Sequence, residues 1–240
     1  MVSGETGPRT RPLLVEVIGL AGSGKSTVFE ELLRRRPEIE PRPALTRLNR
    51  VPISAWTLAS VLAYLVRARA LTRRTAAQEV RLMTYLQALP RVLEREGGPE
   101  RTIVFDQGPV YLLARPRLQG ERLRPWWSRT FDEWAGRLDA VVSLDAPDDV
   151  LLERIDARDK WHALKGRDRE PAQEALTQTR AVYEDALARL ASHESGPTVV
   201  RFDTGRETAG NVVDGIVALL EGLRAGGRAG DATASRAGGG

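Results

Sequence analysis

Cysteine is absent from the 240-residue chain. This excludes a disulfide framework and any thiolate metal site, and it is compatible with a reducing cytoplasm. Lysine is nearly absent: Lys25, Lys160 and Lys165 stand alone among 36 basic residues, the rest being arginine. A large excess of either charge is missing too. The net charge of +4 is mild and evenly spread, which argues against nucleic acid as a partner. Residues 1–11 contain no secretory apolar core. The most apolar stretch, Ala55–Val66, is too short to span a bilayer and is followed at once by Arg67 and Arg69. It reads as a buried amphipathic helix, with a peripheral membrane helix as the second reading; no membrane partner is expected, and the same helix offers a face for a homodimer. Two short patterns are also lacking. No N-K-x-D segment is present to read a guanine, and Asp106-Gln107-Gly108-Pro109 is not the switch pattern D-x-x-G.

What is present is organised around Leu13–Arg35, LLVEVIGLAGSGKSTVFEELLRR: an apolar run, a glycine-rich turn, then a helix. Gly19, Gly24, Lys25 and Ser26 satisfy the phosphate-loop pattern G-x-x-x-x-G-K-[ST], with a further glycine at Gly22. Successive backbone N–H groups wrap a polyphosphate only where no Cβ intrudes. Lys25 supplies an ammonium to the β- and γ-phosphates, Ser26 a hydroxyl to Mg²⁺, and the helix aims its positive end at the anion. Ser23 and Thr27 complete the set of loop residues expected to bind nucleotide. Five of the six residues Leu13–Ile18 are apolar, and Val28, Leu32 and Leu33 recur at helical spacing, so the motif stands between a strand and a helix.

Further along, a short strand is expected around Ala44–Thr46, and helices over about 54–71 and 75–95, the second stopped by Gly97, Gly98 and Pro99. Strands are expected at Arg101–Gln107, Ala140–Asp145 and Thr198–Asp203. Residues 108–127 read as an irregular excursion, and Phe131–Leu138 as a helix. Pro147 reads as the first residue of a helix running to about Arg158. The last two helices are placed at about Pro171–Ala191 and Glu207–Leu223. Residues 1–11 and 225–240, the latter rich in Gly and Ala, are expected to be disordered, leaving one domain over 12–224. Alternating strands and helices predict an α/β fold with a parallel sheet covered on both faces, ligands binding beyond the carboxyl ends of its strands. The phosphate loop, Asp106 and Asp145 then share one rim.

Asp106 ends a strand after four β-favouring residues, Thr102–Phe105. There it can hold a Mg²⁺-bound water or accept a proton from an attacking hydroxyl; the alternative is an acid that merely opens a turn before Gly108 and Pro109. Asp145 reads as structural. Arg154 and Arg158 lie one helical turn apart, on one face. From Arg158 to Arg169 five basic residues, Lys160 among them, face two aspartates, a basic loop suited to charge spreading over a transferred phosphoryl group. His162 and Trp161 lie inside this loop without an assigned role. Trp126 and Trp127, adjacent in the excursion, are core residues or the lining of an acceptor pocket.

With these residues in place the chain resembles the thymidylate-kinase-like branch of the phosphate-loop kinases over most of 13–222. The resemblance rests on GLAGSGKST, TIVFDQ, SLDAPDDVLLERIDAR and RFDTGRETAGNVVDGIVALL, in that order. It implies a three-layer fold with a five-stranded parallel sheet flanked by helices, and a basic lid at about 158–170. ATP is implied as donor and Mg²⁺ as cofactor, bound by Ser26 and Asp106. Contact of Arg154, Arg158 and Lys160 with transferred phosphate is implied as well. Two positions depart from the family. Gln107 stands where thymidylate kinases carry an acceptor-binding arginine, and Thr46-Arg47 is followed by Leu48-Asn49 rather than by the family's Glu-Pro. Arg47 and Gln107 are thus the candidate acceptor-binding residues, and loss of a cation fits an acceptor without a phosphate. The expected activity is ATP-dependent transfer of a γ-phosphoryl group to a hydroxyl or phosphate acceptor on a nucleoside- or nucleotide-like small molecule. Kinases of sugars or other metabolites, and a nucleotide-dependent regulatory ATPase, are the alternatives.

Overall fold

The computed structural model describes residues 11–42, 55–68, 77–96, 98–115, 118–159 and 161–226. Arg47, Lys160, the Ala44–Thr46 segment and both extreme ends lie outside them.

Five strands form one parallel sheet in the order β2-β3-β1-β4-β5. They are β1 (Leu13–Gly19), β2 (Ile39–Arg42), β3 (Thr102–Asp106), β4 (Ala140–Asp145) and β5 (Thr198–Asp203). β1 is central and every residue in it is buried. Side chains alternate across a strand, so Leu13, Val15 and Val17 face one layer while Leu14 and Ile18 face the other. The first layer is α1 (Lys25–Arg35) and α8 (Ala209–Gly226), packed through Val28, Leu32, Val213 and Ile216. The second contains α2 (Ala55–Arg67), α3 (Ala77–Glu96), α4 (Pro109–Leu113), α5 (Arg124–Arg137) and α7 (Arg169–Ser192). A sheet covered on both faces explains the near-continuous apolar strands, and makes Glu16 in β1 the exception. No helix among the described residues is long and apolar enough to cross a membrane.

Local chemistry corrects three of the expected elements. Residues 108–127 are not irregular throughout: Pro109–Leu113 is helical, Glu121–Leu123 is a 3₁₀ turn, and α5 begins at Arg124. Pro125 sits in its first turn, where a missing N–H costs nothing. Trp126 is consequently a core residue of α5. Trp127 donates its Nε1–H to Leu113 O at 2.7 Å beneath the Arg189 guanidinium, 4.8 Å from the ring centre. Neither tryptophan lines a cavity described below. Pro147 caps α6 (Asp148–Asp156) instead of starting it, and the helix stops short of Arg158. The second strand lies at Ile39–Arg42, ahead of the Ala44–Thr46 segment.

At the end of the sheet away from the phosphate loop, Asp139 precedes β4 and is 1% exposed. Its carboxylate accepts both terminal nitrogens of Arg11 at 2.9 Å and the backbone N–H of Leu14 at 2.9 Å. Asp139→Ala leaves that buried N–H without its acceptor, and should lower unfolding stability by about 3 kcal/mol. A fall in the denaturant midpoint at constant slope is the expected reading.

Candidate active site

The loop after β1 is shaped by contacts that leave no room for side chains. A Cβ at Gly19 would lie 2.2 Å from Leu144 O, and one at Gly22 would lie 2.6 Å from Leu151 O. Gly24, the residue before α1, has φ 78° and nothing within 4 Å of its Cβ direction. A left-handed backbone there turns the chain into α1 and leaves the side above the helix amino end open. Ser23 is fully buried, whereas Ser26 and Thr27 are exposed.

Lys25 is only partly buried as a residue, but its ammonium is turned inward. Nζ donates to Gly19 O and Leu20 O, each at 2.8 Å. Burial lowers its pKa to about 8; Asp106 opposes that shift and Arg158 adds to it. Asp106 ends β3, in register with Val17 of β1, and is half-buried. Burial raises its pKa above the ordinary carboxylate value, and the Lys25 charge pulls it back. The two residues therefore sense each other across the rim of the sheet.

Two cavities open beside the glycine loop, and the pair lines the second. One, about 390 Å³, is lined by Gly22, Gly24, Thr27, Arg154, Arg158 and Thr204 among others. The second, about 380 Å³, is lined by Lys25, Ser26, Asp106, Gln107, Tyr111, Arg158, His162, Thr179 and Tyr183 among others. Arg158 borders both, is exposed, and has no side-chain hydrogen bond among the described residues. Arg154 behaves differently. Its guanidinium donates to Gly22 O at 3.3 Å, Thr204 Oγ1 at 3.1 Å and Thr204 O at 2.8 Å, tying the loop to the turn after β5. Asp145 is structural, as its position suggests: it accepts Arg180 Nε at 2.6 Å, and the same guanidinium reaches Asp148 at 2.6 Å.

The connection from α6 to α7 carries the basic residues. Lys165 donates to Arg158 O, and Gly166 N–H to Asp156 Oδ1 at 3.0 Å, which folds the connection back on the end of α6. His162 Nδ1 accepts the Leu164 N–H at 3.2 Å, so the neutral ring carries its proton on Nε2. Burial, then Arg158 and Lys25, lower its pKa and favour that neutral form. Trp161 beside it is 86% exposed.

The structure thus brings together Gly19, Lys25, Ser26, Asp106, Gln107 and Arg158, and adds residues that motif reading did not find. Tyr111, Thr179 and Tyr183 come from α4 and α7, where no short pattern marks them. Gln107 adopts φ 60°, a left-handed conformation uncommon outside glycine.

No protein-family model matches the chain, and no curated protein sequence matches it either. Solved structures do. A thymidylate kinase from Candida albicans superposes with a TM-score of 0.53 at 18% identity, covering 88% of this chain and 92% of that one. The M. mycoides deoxyadenosine kinase, with the products dCMP and a flexible dCDP bound, gives 0.52 at 14% identity, covering 87% and 99%. The YorR protein of Bacillus subtilis, in complex with phosphorylated GDP, gives 0.50 at 16% identity, covering 88% and 98%. The chain has the α/β fold of these neighbours, a five-stranded parallel sheet flanked by helices with a glycine loop after its central strand.

Proposed function

We propose that the chain is an ATP-dependent kinase of a small, hydroxyl-bearing, nucleoside-like acceptor. The observation that carries this reading is the position of Arg158 between two cavities, with Lys25 and Asp106 together in one of them. A single ATP site needs one cavity; group transfer needs two that meet at the phosphoryl group.

In this reading the triphosphate lies on the amides of Gly19–Thr27, with its nucleoside toward Arg154 and Thr204. Lys25 leaves the carbonyls of Gly19 and Leu20 for the β- and γ-phosphates. Arg158 and Lys160 neutralise the oxygens of the moving group as the 158–170 connection closes as a lid and excludes water, which otherwise competes as acceptor. Asp106 accepts the acceptor's hydroxyl proton while that oxygen bonds to the γ-phosphorus. The bond from phosphorus to the β–γ bridging oxygen breaks, and ADP carries away the electron pair. Ser26 and Asp106 would hold magnesium, the acid through water. One hydroxyl and one carboxylate fit this ion, which keeps most of its shell for water and phosphate oxygens. Bound there, it would supply charge neutralisation across the β- and γ-phosphates.

The second cavity supports a planar acceptor. Tyr111 and Tyr183 lie 6.5 Å apart by ring centre and supply apolar faces, while Gln107 and Thr179 supply groups that can both donate and accept hydrogen bonds. ADP release measured against nucleosides, nucleoside monophosphates and sugars tests the reading. Stimulation by nucleosides is expected. Hydrolysis indifferent to every acceptor, or raised only by a protein partner, would overturn it in favour of a regulatory ATPase.

A further inference from the structure

Glu16 is the charged residue inside the central strand. It is fully buried, with Phe105 beside it on β3 and Val141 on β4. Its Oε2 accepts the backbone N–H of Val110 at 2.8 Å and its Oε1 that of Tyr111 at 2.9 Å. The carboxylate therefore reaches from the middle of the sheet to the first turn of α4, gripping the chain just beyond Asp106-Gln107-Gly108-Pro109.

That tetrapeptide has reason to need a grip. Gln107 is left-handed, and Gly108 passes so close that a Cβ on it would lie 2.6 Å from Phe105 Cβ and 3.1 Å from Glu16 Cδ. Such a turn stores strain and keeps one shape only if its surroundings fix it. Asp106, Gln107 and Tyr111, which flank or form the turn, all line the second cavity. An apolar side chain would fill the space behind α4 at less cost than a carboxylate, since burial without partners is expensive for a charged group. Burial indeed raises the Glu16 pKa to about 8, with the amides of Tyr111, Val110 and Gly108 pulling it down and Asp106 adding to the rise. The phenols of Tyr111 and Tyr183 and the Arg115 guanidinium, 5.3 Å from the Tyr111 ring centre, are further titratable groups nearby.

We infer that Glu16 is a positioning residue for phosphoryl transfer: by clamping the amides of Val110 and Tyr111 it holds Asp106, Gln107 and Tyr111 in their places around the acceptor. What is positioned rests on the kinase reading above; the clamp itself does not. Glu16 touches no substrate and acts through the turn.

The test uses the full chain and two variants. Glu16→Gln keeps the volume and one acceptor oxygen but turns an NH₂ group toward the second amide. Gly108→Ala leaves Glu16 chemically intact but crowds it and the turn against Phe105, and serves if Glu16→Gln does not fold. In hydrogen-exchange mass spectrometry, peptides spanning 107–113 should exchange roughly 10-fold faster in either variant, with other peptides unchanged. In kinetics with the acceptor that most stimulates ADP release in the panel of nucleosides, nucleoside monophosphates and sugars, kcat/KM for the acceptor should fall about 100-fold, as a displaced catalytic group predicts, while KM for ATP stays unchanged. Unchanged exchange at 107–113 overturns the clamp. Faster exchange there with normal acceptor kcat/KM overturns the positioning role. So does a general rise in exchange with parallel damage to ATP binding, the signature of a residue needed only for folding. A wild-type chain that phosphorylates no acceptor would overturn the kinase reading instead, and the exchange data would still decide the clamp.

Discussion

Lys25→Ala is expected to lower the rate of phosphoryl transfer at least ~1,000-fold while leaving the protein folded. The size follows from where the ammonium stands. Its Nζ lies 2.8 Å from two loop carbonyls, sheltered enough that burial lowers its pKa to about 8, so its charge is poorly screened by water. A cation that swings from those carbonyls onto the phosphates inside the same sheltered loop stabilises developing phosphate charge far better than a solvated one. Removal should not weaken the fold. Below pH 8 the native state holds a charge that burial disfavours, and the carbonyls of Gly19 and Leu20 can turn to water once it is gone. The thermal midpoint without nucleotide should thus be unchanged or raised, while the increase produced by ATP should shrink. Lys25→Arg should not restore transfer. A planar fork cannot follow the phosphate as a compact ammonium on a flexible stem does, nor fit beneath the loop where Ser23 is fully buried. Single-turnover kinetics with thermal melts measure both quantities, and ordinary turnover in Lys25→Ala would remove the proposed role.

The parts of this site that were legible in the sequence are those written in consecutive residues. The loop Gly19–Thr27 carries its chemistry in a fixed spacing, and Asp106 and Asp145 announce themselves as acids closing apolar runs. Parallel topology then puts them on one rim whatever the details of packing. Residues brought in from a distance left no such trace. Tyr111, Thr179 and Tyr183 reach the cavity because α4 and α7 cross the sheet, and neither helix has a motif. α4 itself was hidden by its length: five residues after Gly-Pro look like a turn until tertiary contacts hold them in a helix. The spacing of Arg154 and Arg158 suggests one helix face, but α6 ends at Asp156; Arg154 stays on the helix and binds Thr204, while Arg158 lies beyond it, free of side-chain hydrogen bonds among the described residues. Glu16 is the instructive omission. It is the one acid among the apolar residues of Leu13–Ile18, and a carboxylate in the middle of a buried strand must be bonded to N–H donors. Which donors these are is set by α4, whose place in the fold no local pattern marks.

Asp106→Asn, which preserves shape and removes only the charge and basicity, should reduce turnover at least ~100-fold with ATP binding largely retained. Its position is fixed by the sheet: β3 pairs with β1 so that Asp106 lies beside Val17, two residues before the phosphate loop begins. From there it shares a cavity with Lys25 and Ser26, where a carboxylate can take a proton from an acceptor or hold a metal-bound water. Two measurements tell these apart. As a base, the group must be ionised, and burial raises its pKa above that of a free carboxylate, Lys25 opposing. Activity should then fall as pH drops toward that raised value, earlier than an ordinary aspartate would dictate, and this acid limb should vanish in Asp106→Asn. As a water-mediated ligand, the lost affinity for magnesium should be recovered in part by raising the magnesium concentration, whereas added magnesium should restore nothing if the group acts only as the base. A third pattern would remove Asp106 from the chemistry. If the variant turns over normally and loses only thermal stability, the acid serves the left-handed turn at Gln107 and some other group must receive the proton.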